Sequence, residues 1–390
     1  MNFDEVIDRR ATHSDKWDNM QARFGVAPDD GLAMWVADMD FRSPDCVQNA
    51  VRDMLKLGNY GYFGDYSDYR NAIIWWMQNR HQWPVQAEWI FTAHGLGNAI
   101  GLTLQAFCEP GDEIILFTPV YHAFARIIKA GGRGVVQCEL SNNAGHYELD
   151  FAAYDAQMTG REKLVLLCSP HNPGGRIWSA SELTQIAEFC ERHDLLLIAD
   201  EVHHDLVYPG NKFTPMALAA PQIVDRLIVL TAPSKTFNTA GTHTGNVIIE
   251  NAALRAKFAA LMRALSVSAN NFGVVMTTAA YSPEGAAWVD ELVCYLDGNR
   301  KIFDAGINAI PGLKSVNMQA TYLAWVDFSG TGMEMSEVIT RIQKTARIAA
   351  DHGPTFGKGG ENFMRFNIGT QRARIIEAVE RLQAAFADLQ

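Results

Sequence analysis

No two of the chain's six cysteines are spaced as CxxC; Cys46, Cys108, Cys138, Cys168, Cys190 and Cys294 are scattered along 390 residues. Neither disulfides nor a zinc site is therefore expected, and the thiols read as reduced and mostly buried. Long apolar runs are also missing. None approaches the ~18 residues that cross a bilayer. Positive charge is scarce, with 33 Lys and Arg against 44 Asp and Glu, a formal net charge of −11 at pH 7. That sign speaks against nucleic acid or an anionic membrane as the main partner. The opening Met1-Asn2-Phe3-Asp4-Glu5 lacks the basic and apolar stretches of a signal peptide, so the expected location is cytoplasmic. No internal repeat or low-complexity linker stands out.

What is present is an ordinary globular balance, 48% hydrophobic and 20% charged, in a chain longer than a single core comfortably serves. Helix and strand signals alternate. Ser43-Pro44-Asp45 reads as an N-cap with proline at the first helical position, followed by an apolar face of Val47, Ala50, Val51, Met54 and Leu55 that stops at Gly58. Tyr60, Tyr62, Phe63, Tyr66 and Tyr69 read as an aromatic loop. Leu96, Ala99, Ile100, Thr103, Leu104 and Phe107 are spaced along one helix face. Ser179-x-x-Glu182 is a capping box that opens a helix to about His193. The short strands Glu113–Phe117, Lys163–Cys168, Leu195–Ala199 and Leu227–Leu230 are apolar beyond their first residues, as strands buried on both faces are. The pattern predicts an α/β fold, a three-layer sandwich with a mainly parallel sheet and right-handed crossovers. The expected organisation is an N-terminal segment 1–45 joining a smaller domain, a large cofactor-binding domain 46–283 and a smaller α+β domain 284–390.

Two of those strands deliver an ionisable residue each. Asp200 ends one, and Lys235, in Pro233-Ser234-Lys235-Thr236-Phe237-Asn238, follows another. Open α/β sheets bind ligands at that edge. An amine and a carboxylate so placed suit pyridoxal phosphate, the amine forming a Schiff base with the aldehyde and the carboxylate partnering the pyridinium nitrogen. Ala93-His94-Gly95-Leu96-Gly97-Asn98 precedes a helix whose free N–H groups suit a phosphate, with Ser234 adding a hydroxyl. Gly95-x-Gly97 lacks the acidic residue about 20 positions on that a dinucleotide site needs. Asn172 has two readings, an amide donor to the ring's phenolic oxygen or an Asn-Pro turn. Tyr121 either stacks on the ring or belongs to the core. In Asp200-Glu201-Val202-His203-His204-Asp205 no distant third ligand is evident for a metal; His203 is placed near the ring oxygen, with His204 and Asp205 structural. Arg365, a lone cation in the apolar strand Phe363–Asn367, is either an ion-paired strand arginine or a fork for a substrate α-carboxylate. Met34–Phe41 is either pocket lining or packing.

These segments, with Gly61-Tyr62, Pro119-Val120-Tyr121, His171-Asn172-Pro173, Thr321–Trp325 and Met364–Asn367, resemble the fold-type I pyridoxal-phosphate enzymes of the class I/II aminotransferase superfamily. Within it they resemble the cystathionine β-lyase (cysteine-S-conjugate β-lyase) branch that includes the bacterial maltose-regulon modulator. The resemblance implies that Lys235 is the Schiff-base lysine, Asp200 the pyridinium partner and Tyr121 the stacking ring, with Asn172 and His203 at the ring oxygen. It implies that Leu96, Gly97 and Ser234 hold the phosphate and Arg365 the substrate carboxylate. Tyr62 would reach the phosphate from a second subunit, making a homodimer with a shared site. Gly174-Gly175 departs from the usual Thr-Gly, and His243 stands where many aminotransferases carry a phosphate-binding arginine. The implied activity is β-elimination from cystathionine or related conjugates. Transamination of an α-amino acid is the alternative, because both share every step up to the carbanion. A regulatory protein partner is the reading from another class; no docking segment is identifiable, and the intact Lys235–Asp200 pair argues against a catalytically dead regulator.

Overall fold

A computed structural model describes residues 1–389. Seven strands form the central sheet: β1 (Ile90–Ala93), β2 (Glu113–Thr118), β3 (Gly134–Glu139), β4 (Glu162–Cys168), β5 (Leu196–Asp200), β6 (Leu227–Thr231) and β7 (Gly245–Ile248), in the spatial order β1-β7-β6-β5-β4-β2-β3. Strands β3, β2, β4, β5 and β6 pair in parallel, whereas β7 runs antiparallel to both β6 and β1. The expected mainly parallel sheet is thus present, with one reversed strand. Its central strands are buried on both faces because helices cover both sides. A separate four-stranded antiparallel sheet joins β8 (Lys314–Ser315), β9 (Leu323–Asp327), β10 (Asp351–His352) and β11 (Phe363–Asn367) in the order β8-β9-β11-β10. The N-terminal stretch is tied to this end of the molecule, since Leu32–Ala33 pairs in parallel with Ile348–Ala349.

The helices that matter for the site are α1 (Asp45–Leu57), α2 (Ser67–His81), α3 (Leu96–Phe107), α4 (Ala123–Ala130) and α5 (Ala180–Arg192). The capping box of α5 forms as read: Ser179 Oγ accepts from the Glu182 amide while the Glu182 carboxylate accepts from the Ser179 amide. At α1 the expectation is corrected. Pro44 itself occupies the cap position and Ser43 caps nothing; its hydroxyl donates 2.8 Å to the Phe237 carbonyl, fastening the chain beside the Lys235 turn. Val47 and Met54 are buried as expected, but Leu55 is 58% exposed.

Helix α2 is the larger difference. Tyr69 lies within it, not in an aromatic loop, and its hydroxyl donates to buried Asn246 Oδ1. The helix carries apolar side chains around more than one face, with Tyr69, Ile73, Trp76 and Met77 all buried. A helix covered on several sides shows no clean amphipathic stripe, which hides it from periodicity.

Candidate active site

The C-terminal ends of the parallel strands converge on a cavity of about 380 Å³. Lys235 and Asp200, 35 positions apart in the chain, both line it. Strand β5 ends on Asp200, and the tight turn after β6 presents Ser234 and Lys235. Leu96, Gly97, Tyr121, Asn172 and His203 share the same walls, whereas Tyr62 and Arg365, also expected at the site, do not.

One end of the cavity is shaped by backbone geometry to take an anion. Gly95 sits at φ +79° before α3 and offers no side-chain cap, which leaves the first amides of that helix, at Leu96 and Gly97, open for an anion beside the positive helix end. Reversed strand β7 passes close by. A Cβ on Gly245 would stand 2.6 Å from the Leu96 side chain and 3.2 Å from the Gly95 backbone, so a larger residue there would push on the start of α3.

Charge is arranged unevenly. Lys235 Nζ donates 2.8 Å to the Ala37 carbonyl, and enclosure pulls its ammonium down to about 8, with Arg365 adding repulsion and Asp38 and Asp200 opposing. Asp200 is buried, accepts from only the Val202 amide (3.2 Å), and is pushed up to about 6 by desolvation. No cation pairs with it among the described residues. His203 is held well below its ordinary range by burial, and its Nδ1 lacks a hydrogen-bond partner. A buried acid and a buried imidazole nitrogen, both short of partners on one cavity wall, fit a heteroaromatic ring that brings a cationic N–H to the acid and an oxygen to the imidazole.

Asn172 is oriented. Its Oδ1 accepts 2.9 Å from an Arg365 amino group, so its NH₂ is left for the cavity side. Arg365 itself stands one layer back: it pairs with Asp351, donates 2.9 Å to the Trp35 carbonyl, and does not line the cavity. Arg365 is thus ion-paired within its layer, and its Nε is without a hydrogen-bond partner. Tyr62 is fully exposed and the cavity does not include it.

Sequence reasoning left out several wall residues: His94, Asn98, Cys168, Val202 and Thr244. It kept Ala37 only within a segment with two readings, and the structure places Ala37 on the wall, under the lysine amine. Asn238 and Asn367 clamp that segment: Asn238 bonds Met39 in both directions and also donates to the Phe41 carbonyl, and Asn367 donates to the carbonyls of Val36 and Asp38. Sequence reasoning also missed His81, the last residue of α2, whose ring stands beside His204 and Asp205.

A family model for aminotransferase class I and II matches residues 34–382. The chain belongs to this family. Cystathionine β-lyase PatB of Bacillus subtilis (strain 168) is 37% identical over 390 residues, covering 99% of this chain and all of the relative. Among solved structures, cystalysin from Treponema denticola, which contains a pyridoxal 5'-phosphate cofactor, superposes with a TM-score of 0.94 at 34% identity, covering 100% of this chain and 99% of that one. The pyridoxal-phosphate-bound C-S lyase from Staphylococcus hominis gives a TM-score of 0.91 at 30% identity, covering 99% and 98%. The fold is that of these class I and II enzymes, and the resemblance read from the sequence holds at the level of the family.

Proposed function

We propose that the chain is a pyridoxal-phosphate-dependent carbon–sulfur β-lyase that cleaves L-cystathionine or related cysteine S-conjugates to a thiol, pyruvate and ammonia. The observation that carries the reading is the meeting of Lys235 and unpaired Asp200 on one cavity; the lyase names of its relatives favour elimination over transamination.

In this reading Asp200 would partner the ring nitrogen, Tyr121 would cover a ring face, and Asn172 and His203 would meet the ring oxygen. The amides of Leu96 and Gly97 with the Ser234 hydroxyl hold the phosphate. When bound, the cofactor supplies an electron-withdrawing ring that stabilises negative charge at the substrate Cα. Lys235 then acts as the base on the Cα proton. Its lowered pKa, about 8, leaves an appreciable neutral fraction near neutral pH. Asp200 keeps a proton on the ring nitrogen, because a buried carboxylate favours a cationic neighbour. Arg365, behind Asn172, would exchange Asp351 for the substrate α-carboxylate; the thiolate leaves from Cβ and takes a proton, and water hydrolyses the aminoacrylate that remains to pyruvate and ammonia.

The functional unit is a cytoplasmic homodimer in which Tyr62 of each copy completes the other's phosphate site. The exposed apolar run Leu55, Leu57, Tyr60 and Tyr62 supports that assembly. Residues 46–283 form the cofactor domain, and 284–390 with 1–45 form the smaller one.

The test uses purified protein with cystathionine and no keto acid. Catalytic release of pyruvate and free thiol is expected, falling about a thousandfold or more in Lys235→Ala. Turnover that requires an added keto acid identifies an aminotransferase instead.

A further inference from the structure

A second cavity, of about 450 Å³, lies beside the far end of the Asp200–Asp205 segment. It is lined by His81, His204 and Asp205 together with Tyr208, Phe213 and Cys294. One ligand atom from each of the first three residues lies within 4.8 Å of the others, and among the described residues no other three His, Cys, Asp or Glu converge in this way. His81 Nε2 stands 2.9 Å from Asp205 Oδ1, and His204 Nε2 stands 3.4 Å from Asp205 Oδ2. Cysteine spacing says nothing about such a site, since its donors are imidazole and carboxylate.

Two independent observations ask for a ligand here. Neither ring nitrogen of His204 makes a hydrogen bond, although the residue is buried. Asp205 is buried too, yet every group hydrogen-bonded to it is neutral or only conditionally charged: Trp76 Nε1 at 3.0 Å, Thr236 Oγ1 at 2.9 Å and His81 Nε2 at 2.9 Å. No lysine or arginine pairs with it among the described residues. A buried carboxylate without a permanent cation and a buried imidazole without a partner are both costly, and one divalent ion relieves both.

We infer that His81, His204 and Asp205 form a binding site for a first-row divalent transition metal of the zinc type. Imidazole and carboxylate are the donors such ions select, and three protein ligands leave a position for water from the cavity. Trp76 and Thr236 stay on the carboxylate as its outer support, the arrangement that fixes ligand orientation in metal sites. The rings now stack with centroids 4.1 Å apart and 28° between their planes. Ligation turns them about their Cβ–Cγ bonds toward a common point, on the side where the cavity gives room. Because Thr236 follows Lys235, the ion also braces the turn that presents the lysine.

The test takes the untagged full chain after dialysis against a chelator. Zinc is titrated calorimetrically, cobalt(II) is followed by its visible d–d bands, and thermal unfolding is recorded with and without zinc. The expected result is one saturable site per chain, cobalt bands of a low-coordinate ion, and a melting temperature raised by zinc. His81→Gln and His204→Gln each weaken binding by at least about tenfold and abolish the thermal shift, while Cys294→Ser changes neither. The metal-free melting curve of each variant verifies that it folds. No heat and no bands with the unaltered chain overturn the inference. So does binding that survives both histidine substitutions, or binding lost with Cys294→Ser alone.

Discussion

Asp200 and Asp205 lie five positions apart, both buried, on walls of two different cavities. Burial raises the pKa of each, yet the outcomes are opposite. Asp200, with one amide donor, is pushed up to about 6. Asp205, ringed by Trp76, Thr236, His81 and His204, is held well below its usual range. Depth does not decide whether an acid is charged; its donors do. An acid left short of donors is poised for an incoming cation, whereas one surrounded by donors fastens the elements that supply them. The segment between them joins a chemical end to an anchoring end.

Substitution at Asp200 sharpens this contrast most. Asp200→Asn should lower lyase turnover by about a hundredfold or more, since the proton on the ring nitrogen loses its partner. The same variant should leave the cofactor-free protein as stable as before, or more so, at neutral pH by thermal unfolding. A clear loss of stability would show that Asp200 is an anchor after all.

The pH dependence of stability comes next. Folding raises the Asp200 pKa from about 3.9 in the unfolded chain to about 6. Its favourable contribution is therefore complete below pH ~4 and is lost as pH rises through about 6, a swing of about 3 kcal/mol. Cofactor binding places a cation beside the acid and removes that loss. Melting curves of the cofactor-free and loaded protein should diverge across this window, and parallel curves would contradict the assignment of Asp200 to the ring.

Asp205→Asn should act the other way round, costing about 2–3 kcal/mol of stability, because an amide cannot accept from all of the donors around it. Chemical denaturation measures this directly. Thr236→Val removes one donor from Asp205 while keeping the shape; about 1 kcal/mol is expected. If Thr236→Val costs as much as Asp205→Asn, the donors are not sharing the carboxylate.

Much of the chemical end was legible beforehand. Asp200 and Lys235 follow apolar strands, and the rule that parallel sheets bind at their carboxyl ends placed both on one cavity. The capping box at Ser179 was readable because it is local. The anchoring end was not. His81 meets Asp205 across 124 positions, and its helix carries apolar groups on several faces, so neither spacing nor periodicity points to it. The polar run Thr242–Asn246 likewise finds its partners only in the fold. Asn246 is buried in a reversed strand because Tyr69 donates to it from α2 and its own amide reaches Thr231. Arg365 was undecided between two roles, and only its neighbours Asp351 and Asn172 show that it is ion-paired.

The clamp on the lysine's carbonyl acceptor has a bearing on biosynthesis. Residues 36–39 are held from one side by Asn238 and from the other by Asn367. The stretch is thus locked by a side chain that follows it by about 330 positions. A nascent chain can assemble its sheet early, but the amine of Lys235 acquires its Ala37 neighbour in final form only once Asn367 has been added.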